Sequence, residues 1–176
     1  MELLAPAGSW EGLLAAIENG ADAVYIGAQN FSARQYAKNF DDQQLKKAIE
    51  YAHLRNKTLY LTVNTLIDNQ EFNEALDLIW YLYNLNIDAL IMQDLGLIKA
   101  VRDILPGMKI HASTQMTIHN SAGANWLSAS GVKRVVLARE MSYQEISTIH
   151  QEAPNTELEV FVHGAVCMAS SGRCML

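Results

Sequence analysis

Short apolar runs alternate with amphipathic stretches along the whole chain. The runs are rich in β-branched residues and predict strands at Glu2–Ala5, Ala23–Gly27, Thr58–Asn64, Asp88–Gln93, Lys109–Ala112, Arg134–Ala138 and Glu157–Val162. The stretches between the runs repeat apolar residues with helical spacing and predict helices at Trp10–Asn19, Asp41–Arg55, Glu71–Leu85, Leu95–Ile104, Asn120–Ser130 and Ser142–Glu152. The pattern is therefore a regular alternation of strand and helix.

Polar residues at the predicted helix ends support this alternation. Ser9 can cap the first helix, and the negative charge of Asp41 favours the start of the second helix through the helix dipole. Ser142 followed by Glu145 is a capping-box sequence. Gly131 lies where the fifth helix should end.

A single helix between successive strands predicts right-handed crossovers and a parallel sheet. The run Ala23–Gly27 is apolar on both faces, as expected for a strand covered on both sides. The first strand is not followed by the glycine-rich turn of dinucleotide-binding domains. We therefore predict an α/β fold, a TIM-like (β/α)8 barrel. In this interpretation residues 1–176 form a single incomplete domain that is truncated after its seventh strand and lacks the eighth unit.

Charge and composition limit the partners of the chain. Half of its 176 residues are hydrophobic, and its net charge of −6 gives no general basic field that would attract nucleic acid. An RNA partner would need a local patch, for which Arg34, Arg134, Arg139 and Arg173 are candidates.

The same features predict a cytoplasmic protein that does not enter a membrane. The N-terminus lacks a basic segment followed by an apolar one, and so does not resemble a secretory signal. The most apolar window, Leu76 to Met92, is interrupted by polar residues and is too polar to span a bilayer. Two cysteines in such a chain are expected to be free cytosolic thiols rather than a disulfide framework.

Polar residues at the strand ends are candidates for a catalytic site. In (β/α)8 barrels the active site lies at the carboxyl ends of the strands. Those ends predict five catalytic candidates: Asn64, Gln115, Arg139, Glu140 and His163. Arg139 and Glu140 directly follow a buried run. They are either an anion-binding guanidinium oriented by a carboxylate or a structural ion pair at the barrel rim.

Both cysteines of the chain, Cys167 and Cys174, lie on one short loop rich in glycine and serine. They are candidates for half of an iron–sulfur site, since soft thiolates bind such clusters. With His163 they are three possible zinc ligands. Alternatively, Cys167 is a nucleophile with His163 as its base and with Arg173 lowering the pKa of the thiol. The simplest alternative is a pair of buried reduced thiols.

Several blocks of sequence carry a family resemblance that runs in order from residue 1 to residue 176. The blocks include Glu2-Leu3-Leu4-Ala5-Pro6-Ala7-Gly8, Gly20-Ala21-Asp22-Ala23-Val24-Tyr25-Ile26-Gly27, His111-Ala112-Ser113-Thr114-Gln115-Met116, Arg134-Val135-Val136-Leu137-Ala138-Arg139-Glu140 and Ser171-Gly172-Arg173-Cys174. Together they resemble the collagenase-like peptidase family, the unassigned peptidase family thirty-two. Ser170 departs from the aromatic residue that is usual before the last block.

The resemblance implies a cofactor and a class of reaction. Some members of the family are described as proteases or collagenases. Others hydroxylate a tRNA wobble uridine or a cytidine of 23S rRNA, or act in oxygen-independent ubiquinone synthesis. Those members carry a [4Fe–4S] cluster on four cysteines and are linked to prephenate as oxygen donor. Cys167 and Cys174 match the first two of these cysteines, and the other two are expected beyond Leu176.

Three functional hypotheses follow. The first is an iron–sulfur-dependent hydroxylase of RNA bases, of which this chain is an N-terminal fragment and in which Arg139 is a chemically suitable partner for prephenate. The second is a collagenase-like peptidase, and the third is an inert fragment or one subunit of a hetero-complex. An open barrel leaves strand edges without a neighbour, so we also expect homo-oligomers.

Overall fold

The computed structural model describes residues 1–33, 39–164 and 169–171. In these ranges seven strands alternate with six α-helices, which confirms the predicted α/β class. The strands are β1 (Leu4–Pro6), β2 (Ala23–Gly27), β3 (Thr58–Val63), β4 (Ala89–Met92), β5 (Ile110–Ala112), β6 (Arg134–Val136) and β7 (Glu157–Glu159). The helices are α1 (Trp10–Glu18), α2 (Asp42–His53), α3 (Phe72–Asn84), α4 (Leu95–Ile104), α5 (Ser121–Ala129) and α6 (Tyr143–Glu152).

The chain divides into two compact units, Met1–Met108 and Lys109–Leu176. The first unit contains β1 to β4 with α1 to α4, and the second contains β5 to β7 with α5 and α6. That residues 1–176 form one barrel domain stays a prediction. Within the described part of the chain, none of the helices combines the length and the apolar character that crossing a bilayer requires.

The sheet of the first unit is parallel and follows chain order from β1 to β4. Leu4 pairs with Ala23, Ala23 with Thr58 and Tyr60 with Ala89. Ala23, Tyr60, Ala89 and Ile91 pack together on one face, against the partly buried Leu4 and Tyr25. The alternate positions of the strands are buried as well: Val24, Ile26, Leu59 and Leu61. Apolar area is thus buried on both faces, as the sequence predicts.

The second unit repeats the same arrangement on a smaller scale. β5 pairs in parallel with β6, and β6 pairs in parallel with β7. Ile110, Val135 and Leu127 lie in its core. A short 3₁₀ helix, Thr114–Met116, follows β5 and was not predicted.

The predicted helix starts are confirmed by their hydrogen bonds. Ser9 accepts a hydrogen bond from the amide of Gly12, at 3.2 Å. Asp41 begins α2 in a capping box with Gln44, and Ser142 begins α6 in the predicted capping box with Glu145. Each cap satisfies backbone N–H groups that the helix itself leaves without a partner. The predicted bounds of the fourth helix coincide with α4.

The prediction that the last strand reaches Val162 is wrong. β7 ends at Glu159, whose carbonyl accepts the amide of Leu137 at 2.9 Å. Beyond this point the segment after β6 no longer pairs with β7, because the amide of Ala138 donates to the carbonyl of Ile118 at 3.1 Å. The following residues, 160–162, are exposed. An apolar run in the sequence does not show at which residue the neighbouring strand ceases to pair with it.

His111 is the most perturbed titratable group among the described residues. It lies on β5 and is 2% exposed. Burial, followed by the positive charges of Arg134 and Lys109, lowers the pKa of His111 from 6.5 to about 3, and the negative charge of Glu157 opposes this shift only in part. The side chain is therefore neutral in the folded protein at neutral pH.

The first prediction concerns α4. Asp94 accepts the amide of Leu97 at 2.8 Å and the amide of Ile67 at 3.4 Å. Asp94→Ala removes both bonds and should lower the free energy of unfolding by about 1–2 kcal/mol in urea titrations. Asp77→Ala, a change at an exposed position within α3, is the control and should have little effect. Equal effects of the two substitutions would contradict the capping role.

The second prediction concerns acid stability. Since the pKa of His111 is lower in the folded than in the unfolded chain, its contribution is complete above pH 6.5 and is lost as the pH falls toward about 3. This single group should contribute a slope of up to about 1.4 kcal/mol per pH unit to the free energy of unfolding. His111→Gln should remove that slope, measured as the difference from wild type between pH 6.5 and 4.5. His150→Gln, at an exposed position of α6, should leave it unchanged.

Candidate functional site

The polar ends of β5 and β6 meet at one buried residue of the second unit, Ser171. Thr117, which follows the 3₁₀ helix after β5, and the residues after β6 each supply hydrogen-bonding groups to it. Ser171 itself has no exposed surface. We call Thr117, Arg139, Glu140 and Ser171 the serine clamp.

The hydroxyl, the amide and the carbonyl of Ser171 all have partners within the clamp. Its hydroxyl donates to Glu140 Oε2 at 2.8 Å and accepts from Arg139, from the amide at 3.0 Å and from Nε at 3.2 Å. Its amide donates to Glu140 Oε1 at 2.7 Å. Its carbonyl accepts the hydroxyl of Thr117 at 2.7 Å. One donor and two acceptors exhaust the capacity of a serine hydroxyl, so this side chain is saturated.

Both carboxylate oxygens of Glu140 accept hydrogen bonds from Ser171. Partial burial raises the pKa of Glu140, but the hydrogen bonds from the hydroxyl and the amide of Ser171 outweigh it and hold that pKa below its ordinary value. The carboxylate is therefore ionised at neutral pH, and charge-assisted bonds of this kind are the stronger ones. His119 lies nearby, with its Nε2 4.0 Å from Glu140 Oε1.

Arg139 contacts the same segment through its backbone and its side chain. Besides its two bonds to Ser171, its Nη2 donates to the carbonyl of Ala169 at 3.4 Å. Two of the five N–H donors of the guanidinium are used in these bonds among the described residues. The residue is exposed, so the group can also meet a solute. The expected pair Arg139–Glu140 thus acts chiefly on a third residue.

The structure places the other predicted residues of the second unit differently. Gln115 is partly buried in the 3₁₀ helix, where its amide donates to the hydroxyl of Ser113 at 3.3 Å and its carbonyl lies 3.2 Å from the hydroxyl of Thr117. It therefore adjoins the clamp. His163 lies beyond the end of β7 and is exposed. No hydrogen bond or ion pair joins it to the clamp in the described part of the chain.

Asn64 lies in the first unit, just after β3. Its Oδ1 accepts the amide of Ala33 at 3.0 Å, and its carbonyl accepts Gln93 Nε2 at 2.6 Å. Two residues earlier, at the end of β3, the hydroxyl of Thr62 lies 3.0 Å from that of Ser32 in a buried position. These contacts fasten loops to strand ends, so in this structure Asn64 has a structural role beside its predicted catalytic one.

Cys167 and Cys174, the predicted cluster ligands, lie outside the described residues, as do Arg34 and Arg173. Within the residues that are described, no three His, Cys, Asp or Glu side chains come together to hold a metal ion. The chemistry of the two cysteines nevertheless suits an iron–sulfur cluster, because thiolates are its usual ligands. A [4Fe–4S] cluster usually takes four such ligands, so two more thiolates would be needed.

Sequence reasoning missed the centre of the clamp. Ser171 stands in a recognisable block next to Cys174, but a serine in a loop gives no sign of being buried. Thr117 gave no signal at all, since its role depends on a left-handed backbone and on a residue 54 positions away. The spatial meeting of the two is a tertiary fact.

The sequence is similar over nearly its whole length to proteins that modify RNA. It is 42% identical to tRNA hydroxylation protein P of Haemophilus influenzae, over 99% of this chain and 38% of the relative. It is 40% identical to the 23S rRNA 5-hydroxycytidine C2501 synthase of Escherichia coli, over 100% of this chain and 26% of the relative. A collagenase of Porphyromonas gingivalis is 35% identical, over 99% of this chain and 44% of the relative. The chain therefore spans less than half the length of these relatives.

The fold has a solved counterpart, and a family profile covers the site. The structure of the U32 peptidase Mk0906 aligns with 91% of this chain and 68% of its own, with a TM-score of 0.73 at 11% identity. At that identity the likeness concerns the fold alone, and it agrees with the TIM-barrel-like class predicted from the sequence. The profile of Peptidase family U32 matches residues 8–176, which include the whole clamp. The chain belongs to peptidase family U32.

Proposed function

We propose that this chain is the barrel part of an enzyme that hydroxylates bases of RNA. The observation that carries the proposal is its similarity of 40% identity or more, over 99% or more of its length, to a tRNA hydroxylation protein and to an rRNA hydroxycytidine synthase. That similarity includes the segment that the serine clamp holds. Relatives named for tRNA and for rRNA both match, so either RNA is a candidate substrate.

We further propose that Cys167 and Cys174 are two of four ligands of a [4Fe–4S] cluster. When bound, such a cluster supplies electron transfer and an iron atom that can polarise an oxygen-bearing substrate. The remaining ligands would come from outside this chain. Support comes from the donor chemistry of the two thiols and from the clamp, which holds Ser171, a residue that lies between them in sequence.

The described residues would bind and orient rather than react. Glu140 is ionised and committed to Ser171, so it is suited to holding the loop and not to abstracting a proton. Arg139 has N–H donors beyond its bonds to Ala169 and Ser171, and a guanidinium binds carboxylates with two parallel hydrogen bonds. Arg139 is therefore the residue that we propose for a carboxylate-bearing oxygen donor such as prephenate.

A peptidase is the second candidate, favoured by the name of the family and by the collagenase relative. The described residues offer it little support. The hydroxyl of Ser171 is buried and saturated by hydrogen bonds, so it is not an available nucleophile. His163, the candidate base for Cys167, is exposed and has no hydrogen bond among the described residues that would orient it.

The third prediction tests the cluster. Cys167→Ser, made in the longest reading frame that contains this chain, should abolish both iron and acid-labile sulfide in protein purified without oxygen. It should also abolish hydroxylated nucleosides in RNA from cells that carry only the variant, measured by liquid chromatography and mass spectrometry. Ser170→Ala, at an exposed position of the same segment, is the control and should preserve both.

The outcomes separate the candidates. Hydroxylated nucleosides that persist in the Cys167→Ser strain would disprove the cluster-dependent mechanism. Metal-free wild-type protein that degrades a collagen peptide, with activity lost on stoichiometric thiol alkylation, would instead establish the peptidase.

A further inference from the structure

The backbone of Thr117 adopts a conformation that few threonines adopt. Its φ of 58° and ψ of 44° lie in the left-handed region, where a β-branched side chain crowds its own backbone. Asn56, Asn86 and Phe31 are also left-handed in this structure. Asparagine tolerates the region well, so among the described residues Thr117 shares the unfavourable case with Phe31. Position 117 has the backbone conformation that favours glycine or asparagine, but it carries a threonine. Strain of this kind persists where the surrounding structure enforces it, and it concentrates at functional sites.

Contacts from several directions enforce this conformation. The amide of Thr117 donates to Thr114 at 3.0 Å, which closes the 3₁₀ turn. His119 Nδ1 donates a hydrogen bond to the carbonyl of Thr117 at 2.9 Å. Since a carbonyl can only accept, the imidazole carries its proton on Nδ1. The side chain then points at the carbonyl of Ser171.

The hydroxyl of Thr117 has a single proton and two carbonyls within reach. The carbonyl of Ser171 is at 2.7 Å and that of Gln115 is at 3.2 Å, so the shorter bond to Ser171 receives the larger share. Nothing else in the clamp contacts that carbonyl: Arg139 and Glu140 bond to the hydroxyl and the amide of Ser171. Thr117 thus fixes the one backbone group of Ser171 that the other members leave unheld.

The position of Ser171 in the chain gives this contact its consequence. Ser171 is four residues after Cys167 and three residues before Cys174. Of the described residues between the two cysteines, 169–171, Ser171 is the one that is buried and held through its hydroxyl, its amide and its carbonyl.

We propose that Thr117 is a positioning residue that is kept in a strained conformation so that its hydroxyl orients the segment between the two cysteines. This inference rests on the proposed function for its link to a cluster, but not for the contact itself. The strain at Thr117 should lower folding stability, while the hydroxyl of Thr117 should favour metal binding. Substitutions can therefore separate the effect on stability from the effect on metal content. A residue with a merely structural role would lose both together.

The fourth prediction uses three variants in the longest reading frame that contains this chain. Thr117→Gly relieves the strain and removes the hydroxyl. It should leave the thermal midpoint of the metal-free protein unchanged or higher, yet lower iron and acid-labile sulfide per chain at least threefold. Thr117→Ser keeps the hydroxyl and should keep wild-type iron content. Asn86→Gly, the matched control at a left-handed position of the first unit, should keep both iron and stability.

A second measurement works without any cluster. In metal-free protein, iodoacetamide should alkylate Cys167 and Cys174 several-fold faster in Thr117→Gly than in Thr117→Ser, as followed by peptide mass spectrometry. Equal alkylation rates together with full iron loading of Thr117→Gly would overturn the inference. A fall in both the thermal midpoint and the iron content of Thr117→Gly would also overturn it, in favour of a merely structural role.

Failure of the proposed function gives a different result. If wild-type protein and Cys167→Ser are equally metal-free, the cluster proposal fails, while faster alkylation in Thr117→Gly would still support the positioning of the segment.

Discussion

Parallel strands that end inside a covered sheet impose the constraint on which this structure depends. At each such end the backbone leaves its ladder while it is still shielded from water, and unpaired backbone groups are costly there. Polar side chains at the strand ends form hydrogen bonds with these backbone groups and so avoid the loss of free energy. Asn64 and Asp94 bind loop amides in the first unit, and Thr114 binds the carbonyl of Leu137 in the second. The convergence of polar residues that suggests an active site is therefore first a requirement of the fold.

The serine clamp is the same solution applied to a more distant segment. Glu140 and Arg139 follow β6, but their hydrogen bonds go to Ser171 rather than to the nearest loop. The segment they hold stands between the two cysteines of the chain. A rigid scaffold that fixes a loop is the usual way for a barrel to carry chemistry, because the loops vary while the strands keep their places.

The relatives are named for two different activities, proteolysis and RNA hydroxylation, as expected where one scaffold carries different loops. Collagenase and RNA-hydroxylation proteins resemble the chain over 99% of its length, so the fold alone does not choose between them. The site argues more specifically. The one buried serine hydroxyl of the clamp is saturated, and the carboxylate beside it is committed to hydrogen bonds, so neither suits acyl transfer. What the clamp does suit is the support of ligands supplied by a loop.

The sequence by itself determined the alternation of strands and helices, the parallel class and the helix starts. Each of these depends on local patterns: apolar periodicity, single helical crossovers and capping residues such as Ser9 and Ser142. It also singled out Arg139 and Glu140. Only the tertiary structure decided where β7 stops, that Asn64 fastens a loop, and that Arg139 and Glu140 share Ser171 as their partner. Those outcomes depend on hydrogen bonds between residues about 20 to 30 positions apart, and no local pattern encodes such a meeting.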